Sequence, residues 1–209
     1  MRVRFFKPLC ASLALTSFLA LSGCASSPDP RLYVLDGSSA QRAQSALGSD
    51  ISILVSPVVL PDYMNRPEIV FKSGDNRIIV NQNDRWAGSL KDNVTSVITS
   101  NLSAHLNTNE SFDYFANFTA KPDVAVRIRV LEFGRVDDFT SVLNVSWELV
   151  QTATGQTQLF TEKFTTQIQT PDSKKPDLTP DTQAMSQALD QLSLKISEQI
   201  LTLVKQGRS

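Results

Sequence analysis

Val124-Ala125-Val126-Arg127-Ile128-Arg129-Val130-Leu131-Glu132-Phe133 sets apolar side chains against charged ones at nearly every second position. Successive side chains of a strand point to opposite faces, so this stretch predicts a strand with one dry face and one wet face. Val142 to Val150 repeats the pattern around Trp147, and Leu159 to Ile168 repeats it with Phe160, Phe164 and Ile168 on one face. Thr154-Gly155 supplies a turn between these two runs. Three such strands in succession predict an antiparallel sheet that needs a cover on one side.

Two helices are available to cover it. From about Arg85 to Leu106, residues Trp86, Leu90, Val94, Val97, Ile98 and Leu102 recur at helical spacing, with Asp84 placed to cap the start. Pro171 to Pro180 is a polar, proline-rich loop, after which Thr179 and Pro180 suit the cap and first turn of a last helix. Met185, Leu189, Leu192, Ile196, Ile200, Leu203 and Val204 draw one stripe along that helix. The stripe reads as a core face, the alternative being a surface for a partner.

Upstream, Arg31-Leu32-Tyr33-Val34-Leu35 reads as a first strand and residues 37 to 50 as a loop, with Ile51 to Leu60 a strand limited by Pro57 and Pro61. Ile69-Val70-Phe71 and Ile78-Ile79-Val80, separated by Ser73-Gly74-Asp75-Asn76, read as a hairpin. Phe112 to Phe118 is aromatic and fits either element. The order predicts an α+β fold: a mostly antiparallel sheet with two long helices packed on one face.

The first residues carry an address. Arg2, Arg4 and Lys7 precede an apolar run from Leu9 to Leu21, which ends at Leu21-Ser22-Gly23-Cys24 and matches a bacterial lipobox. Small Ser22 and Gly23 leave room for a peptidase beside a cysteine whose sulfur takes a diacylglycerol. The alternatives are a transmembrane anchor, for which the run is short, and an ordinary secretory signal. Residues 1–23 are thus expected to be cleaved. Residues 24–30 then form a lipidated cysteine and flexible, Pro-containing tether, and 31–206 form a single α+β domain. The covalent diacylglycerol and N-acyl chain on Cys24 are the only non-protein groups expected. Ala25, where an Asp would retain a lipoprotein at the inner membrane in enterobacteria-like sorting, favours the outer membrane and its periplasmic face.

Composition excludes several classes. The 209 residues contain 20 Lys+Arg and 21 Asp+Glu, and losing Arg2, Arg4 and Lys7 makes the remainder more acidic, which argues against nucleic acid as a partner. Cys10 leaves with the signal and Cys24 is consumed, so no disulfide can form within the mature chain. His105, the single histidine, has no flanking ligands at metal spacing and reads as structural. Glu132, Glu148 and Glu162 are more simply the polar positions of alternating strands than a catalytic pair. No glycine spacing cradles phosphate. No enzyme is expected, with no catalytic, metal or cofactor-binding residue.

One stretch is less ordinary. Leu60-Pro61-Asp62-Tyr63-Met64-Asn65-Arg66-Pro67-Glu68-Ile69-Val70 brackets a Tyr-Met pair between two prolines. Pro61, Asp62, Tyr63, Met64, Arg66 and Pro67 make a candidate docking loop. The other reading is a crossover whose tyrosine and methionine fold back onto the core.

This stretch, followed by Arg85-Trp86-Ala87-Gly88-Ser89-Leu90, resembles the PqiC/YmbA family of ABC-type transport auxiliary lipoproteins. Members carry an LP-x-Y-L-x-R-P-x-I-V stretch and then W-A-x-x-L, and Met64 here replaces the usual leucine. Arg31 to Leu35, Val124 to Phe133 and Trp147 also fit. The resemblance implies a lipoprotein partner of an MCE-type intermembrane lipid transport system, anchored in the outer membrane and docking to the periplasmic MCE-domain protein. It implies a role in envelope integrity. MCE proteins form rings, so a homo-oligomer of matching symmetry is in keeping with it. A lipid-binding carrier and a structural envelope lipoprotein with no transport role are the competing readings.

Overall fold

The alternating strands dominate the structure. A computed structural model of the chain describes residues 29–37, 51–74, 76–108, 111–113, 121–169 and 177–207. The elements are β1 (Arg31–Tyr33), β2 (Ile53–Val55), β3 (Glu68–Lys72), β4 (Ile78–Trp86), α1 (Leu90–Leu106), β5 (Ser111–Asp113), β6 (Val124–Asp137), β7 (Thr140–Gln151), β8 (Thr157–Gln167) and α2 (Thr179–Gly207). The signal segment, Cys24 and residues 25–28 of the tether lie outside the described residues. So do most of the expected loop at 37–50, residues 114–118 of the aromatic stretch with 119 and 120 after it, and 170–176.

The fold is α+β, with mostly antiparallel sheets. β6, β7 and β8 form the expected meander, β7 pairing with both neighbours along its length. The strands divide between two sheets, however, ordered β1-β4-β3 and β5-β2-β6-β7-β8. β1 joins β4 in parallel, and β2 joins β5 and β6 in parallel, so each sheet is mixed. Short flanking strands leave no periodicity from which a direction can be read.

Both helices cover one face of the larger sheet. Val126, Ile128 and Val130 of β6 and Val145, Trp147 and Leu149 of β7 are buried on that face. Trp147 stacks on Phe160 at 5.5 Å between ring centroids and donates its indole N–H to Gln199 of α2 at 2.8 Å. Thr166 of β8 donates to the Ala184 carbonyl of α2, and Val58, just past β2, donates its amide to Thr95 of α1. Between the helices, the His105 and Asp190 side chains meet at 2.8 Å. The stripe Met185, Leu189, Leu192, Ile196, Ile200 and Leu203 is buried throughout, so it is the core face.

α1 begins later than its spacing predicts. Ser89 caps it, accepting from the Asp92 amide, and the first helical residue is Leu90. Asp84 belongs to β4 instead and receives a two-pronged bond from Arg31 at 2.7 and 2.8 Å. Trp86 carries the helical spacing forward by coincidence, because its backbone is already committed to strand pairing. At the start of α2 the capping oxygen comes from Asp177, which accepts from both the amide and the hydroxyl of Thr179.

The smaller sheet packs on the end of β6. Phe71 of β3 lies against Gly134, whose φ of +126° suits only glycine and whose missing side chain leaves room for the ring. A β-carbon there would sit 3.1 Å from Phe71 Cδ1. Arg135 then lies over the Phe71 ring and forks onto the buried Asp181 of α2 at 2.6 and 2.9 Å.

Candidate functional site

The proline-bracketed loop leaves β2 along the side of β6. The amides of Ser56 and Val59 donate to the carbonyls of Val126 and Ile128, and the amide of Val130 donates to Val59. Pro61 then fixes φ at −56°, starting a single 3-10 turn over Asp62–Met64. The turn is closed by Met64 N–H to the Pro61 carbonyl at 2.9 Å and Asn65 N–H to the Asp62 carbonyl at 3.1 Å.

This geometry sorts the candidate residues. Met64 is 2% exposed and belongs to the core. Tyr63 is half-buried and packs against the core, where desolvation first and the nearby Glu132 charge second push its phenol above the ordinary value. The Tyr-Met pair therefore folds back, as the crossover reading had it. Pro61 is half-buried, while Asp62, Asn65, Arg66 and Pro67 are exposed. Met64 thus pins the loop and its neighbours face outward.

The exit of the loop is tied down as well. Arg66 donates to Glu68 at 2.9 Å, with Arg85 also within 3.7 Å of that carboxylate. The Arg66 bond, seconded by a hydrogen bond from Glu68's own amide, holds the Glu68 carboxyl below its usual range. The Pro67 carbonyl accepts from the Trp86 amide at 2.8 Å, and Glu68 stands opposite Arg85 in the ladder. The two stretches that carry the family resemblance are thus one piece of structure.

Between this loop and the start of α1 lies an open groove of about 480 Å³. Val58, Leu60, Asp62 and Asn65 form one wall, and Ser89, Lys91 and Asp92 the other. Lys91 and Asp92 were not legible as site residues, since they come from a helix start distant in sequence. The one available signal was the W-A-G-S-L run that delivers Ser89 as a cap.

Two of the three acidic candidates have partners elsewhere, while Glu132 lies near Tyr63 of the loop. Glu148 stands directly opposite Arg127 and binds it at 2.9 Å, and Glu162 lies across from Val145 on the edge strand β8. Among the described residues no three His, Cys, Asp or Glu side chains gather as metal ligands, and no helix is long and apolar enough to cross a membrane. Cys24 lies outside the described residues.

Comparison with known proteins follows the same lines. The fold is similar to the crystal structure of an uncharacterized protein, at 19% identity, TM-score 0.64, covering 83% of this chain and 99% of that one. It is equally similar to a Xanthomonas campestris protein of the DUF330 family, at 14% identity and TM-score 0.64, covering 85% and 99%. A search of curated protein sequences gives no match. The family model for the ABC-type transport auxiliary lipoprotein component matches residues 33–197, which takes in the loop, the Trp86 segment, the whole β6–β8 meander and most of α2. The chain belongs to that family of transport auxiliary lipoproteins.

Proposed function

We propose that the protein is an outer-membrane-anchored periplasmic lipoprotein, the non-enzymatic auxiliary subunit of an MCE-type intermembrane lipid transport system. Its work is docking to the periplasmic MCE-domain protein in support of envelope integrity. The carrying observation is the family match over residues 33–197 together with the Leu21-Ser22-Gly23-Cys24 lipobox ahead of it. Cleavage before Cys24 and acylation supply the anchor, and Ala25 directs it to the outer membrane. Each buried methylene adds about 0.8 kcal/mol, so two or three chains hold the protein permanently.

The loop from Pro61 to Pro67 is the docking element on this reading. Its buried Met64 and its tie to Trp86 fix its shape, so Asp62, Arg66 and Pro67 meet a partner with little ordering left to do. Self-association into a symmetric assembly would match a ring-forming partner. A carrier would instead need an apolar cavity. The opening of about 820 Å³ between β1 and α2 sets Gln183, Gln187, Asp190 and Gln191 against exposed Leu32 and Val34, so only one of its walls would suit an acyl chain.

The test is recovery of partners from native membranes with the tethered protein as bait. Co-purification of an MCE-domain protein is the expected result, and its absence under conditions that recover the bait intact counts against the reading.

A further inference from the structure

A tether of seven residues from Cys24 limits how far the start of β1 can stand from the membrane. β1 runs parallel to β4, with Arg31 opposite Asp84 and Tyr33 opposite Trp86. The chain therefore comes to β1 from the direction in which β4 begins, with Arg31 itself standing about 20 Å along β4 from Ile78. Cys24 to Arg31 spans the same sequence separation as Arg77 to Asp84. Its reach is at most on the order of 20 Å, which keeps the β3–β4 turn within range of the surface holding the acyl chains.

The turn is dressed for such a place. Ile78 is 39% and Ile79 53% exposed, and as neighbours on a strand they project to opposite faces. Exposed Lys72 stands opposite Ile78, and Arg77 precedes it. The turn is closed by Ser73 N–H to the Arg77 carbonyl at 2.7 Å and Asn76 N–H to the Ser73 carbonyl at 3.2 Å. Two bare isoleucines beside two cations match a lipid interface, where apolar side chains reach the acyl boundary and cations meet phosphate.

We propose that the tip of the β3–β4 hairpin is a second membrane contact, with Ile78 and Ile79 entering the interface and Lys72 and Arg77 facing anionic headgroups of the leaflet that holds the anchor. This rests on the lipoprotein reading of Cys24. The hairpin then stands on the membrane, and β4 carries the Pro61–Pro67 loop to its far end, about 25 Å away at about 3.3 Å per residue. Tip and loop thus divide the labour, one toward lipid and one toward protein.

Depth-dependent quenching tests this on the full-length acylated protein. After signal cleavage and acylation the mature chain has no free thiol, so Ile78→Cys and Asn65→Cys each accept one fluorophore. Both are reconstituted in phosphatidylethanolamine–phosphatidylglycerol vesicles containing brominated lipid, after mass spectrometry of the N-terminal peptide. The expected result is quenching several-fold stronger at 78 than at 65. Equal, weak quenching at both sites in acylated protein overturns the hairpin contact and leaves the lipoprotein reading standing. An unmodified N-terminal peptide overturns both.

Discussion

The carbonyl of Pro67 accepts a hydrogen bond from the amide of Trp86 at 2.8 Å, closing the proline-bracketed loop onto the strand that leads into α1. Trp86 is 6% exposed, so its side chain braces the same junction from inside the core. Trp86→Ala is expected to cost about 3–5 kcal/mol, lowering the thermal midpoint by about 10 °C. Circular dichroism melts of the two proteins check this, and a shift within error would show that the junction is held elsewhere.

The exposed face of the loop separates stability from docking. Asp62→Ala and Arg66→Ala are expected to leave the fold within about 0.5–1 kcal/mol while lowering recovery of the MCE-domain protein. Unchanged recovery in both variants would move the docking surface away from the loop.

Gly134 distinguishes backbone strain from mere smallness. Gly134→Ala meets both an unfavourable φ and the Phe71 ring, and is expected to cost about 1–3 kcal/mol. Gly74→Ala, with open space around it, should stay within about 0.5 kcal/mol. Urea titrations of the pair give the contrast directly.

Two ion pairs should behave very differently. Asp181 is 1% exposed and receives both prongs of Arg135, which is itself 32% exposed and keeps Asp138 within 3.9 Å, so Asp181→Ala is expected to cost about 1.5–3 kcal/mol. Arg127→Ala breaks an exposed pair with Glu148 and should cost about 0–1 kcal/mol. Equal losses in equilibrium unfolding would contradict the burial argument.

Tyr33 predicts an alkaline limit. Burial, foremost, pushes its phenol up to about 12 from 10.0, while its oxygen also accepts from the Leu178 amide and its hydroxyl donates to Asp177. A group whose pKa is raised in the fold contributes stability fully below its unfolded value and loses it as pH climbs through the folded one. Stability should therefore fall between about pH 10 and 12, and Tyr33→Phe should flatten that limb. An identical pH profile in the variant would remove Tyr33 as the cause.

Much of this architecture is written in period. Strands β6 to β8 and helix α2 are long enough for alternation or stripe to outweigh local accident, and their buried faces follow it over most of their length, slipping at the bulge between Val130 and Glu132 and where Val142 and Leu143 are both buried. The start of α1 departs from its spacing because Trp86 satisfies a helical stripe and a strand ladder equally well, and only its pairing with β1 and its bond to the loop decide. Partition into two sheets depends on three-residue strands such as β1 and β2, too short to carry a pattern. At the loop, composition could not say whether Tyr63 and Met64 faced water, because that depends on how far β6 carries the preceding backbone.

Arg31 is the first strand residue after the tether, and its guanidinium is locked to Asp84. A tug transmitted through an anchored N-terminus runs along the axis of β1, away from the ladder it shares with β4. Such a load stretches all the cross-strand bonds of β1 at once, where a pull across the strand would peel them one by one. A strand of only three residues is thereby loaded in its stronger direction, a fitting mount for a domain that, on the proposed reading, is held at one end by lipid.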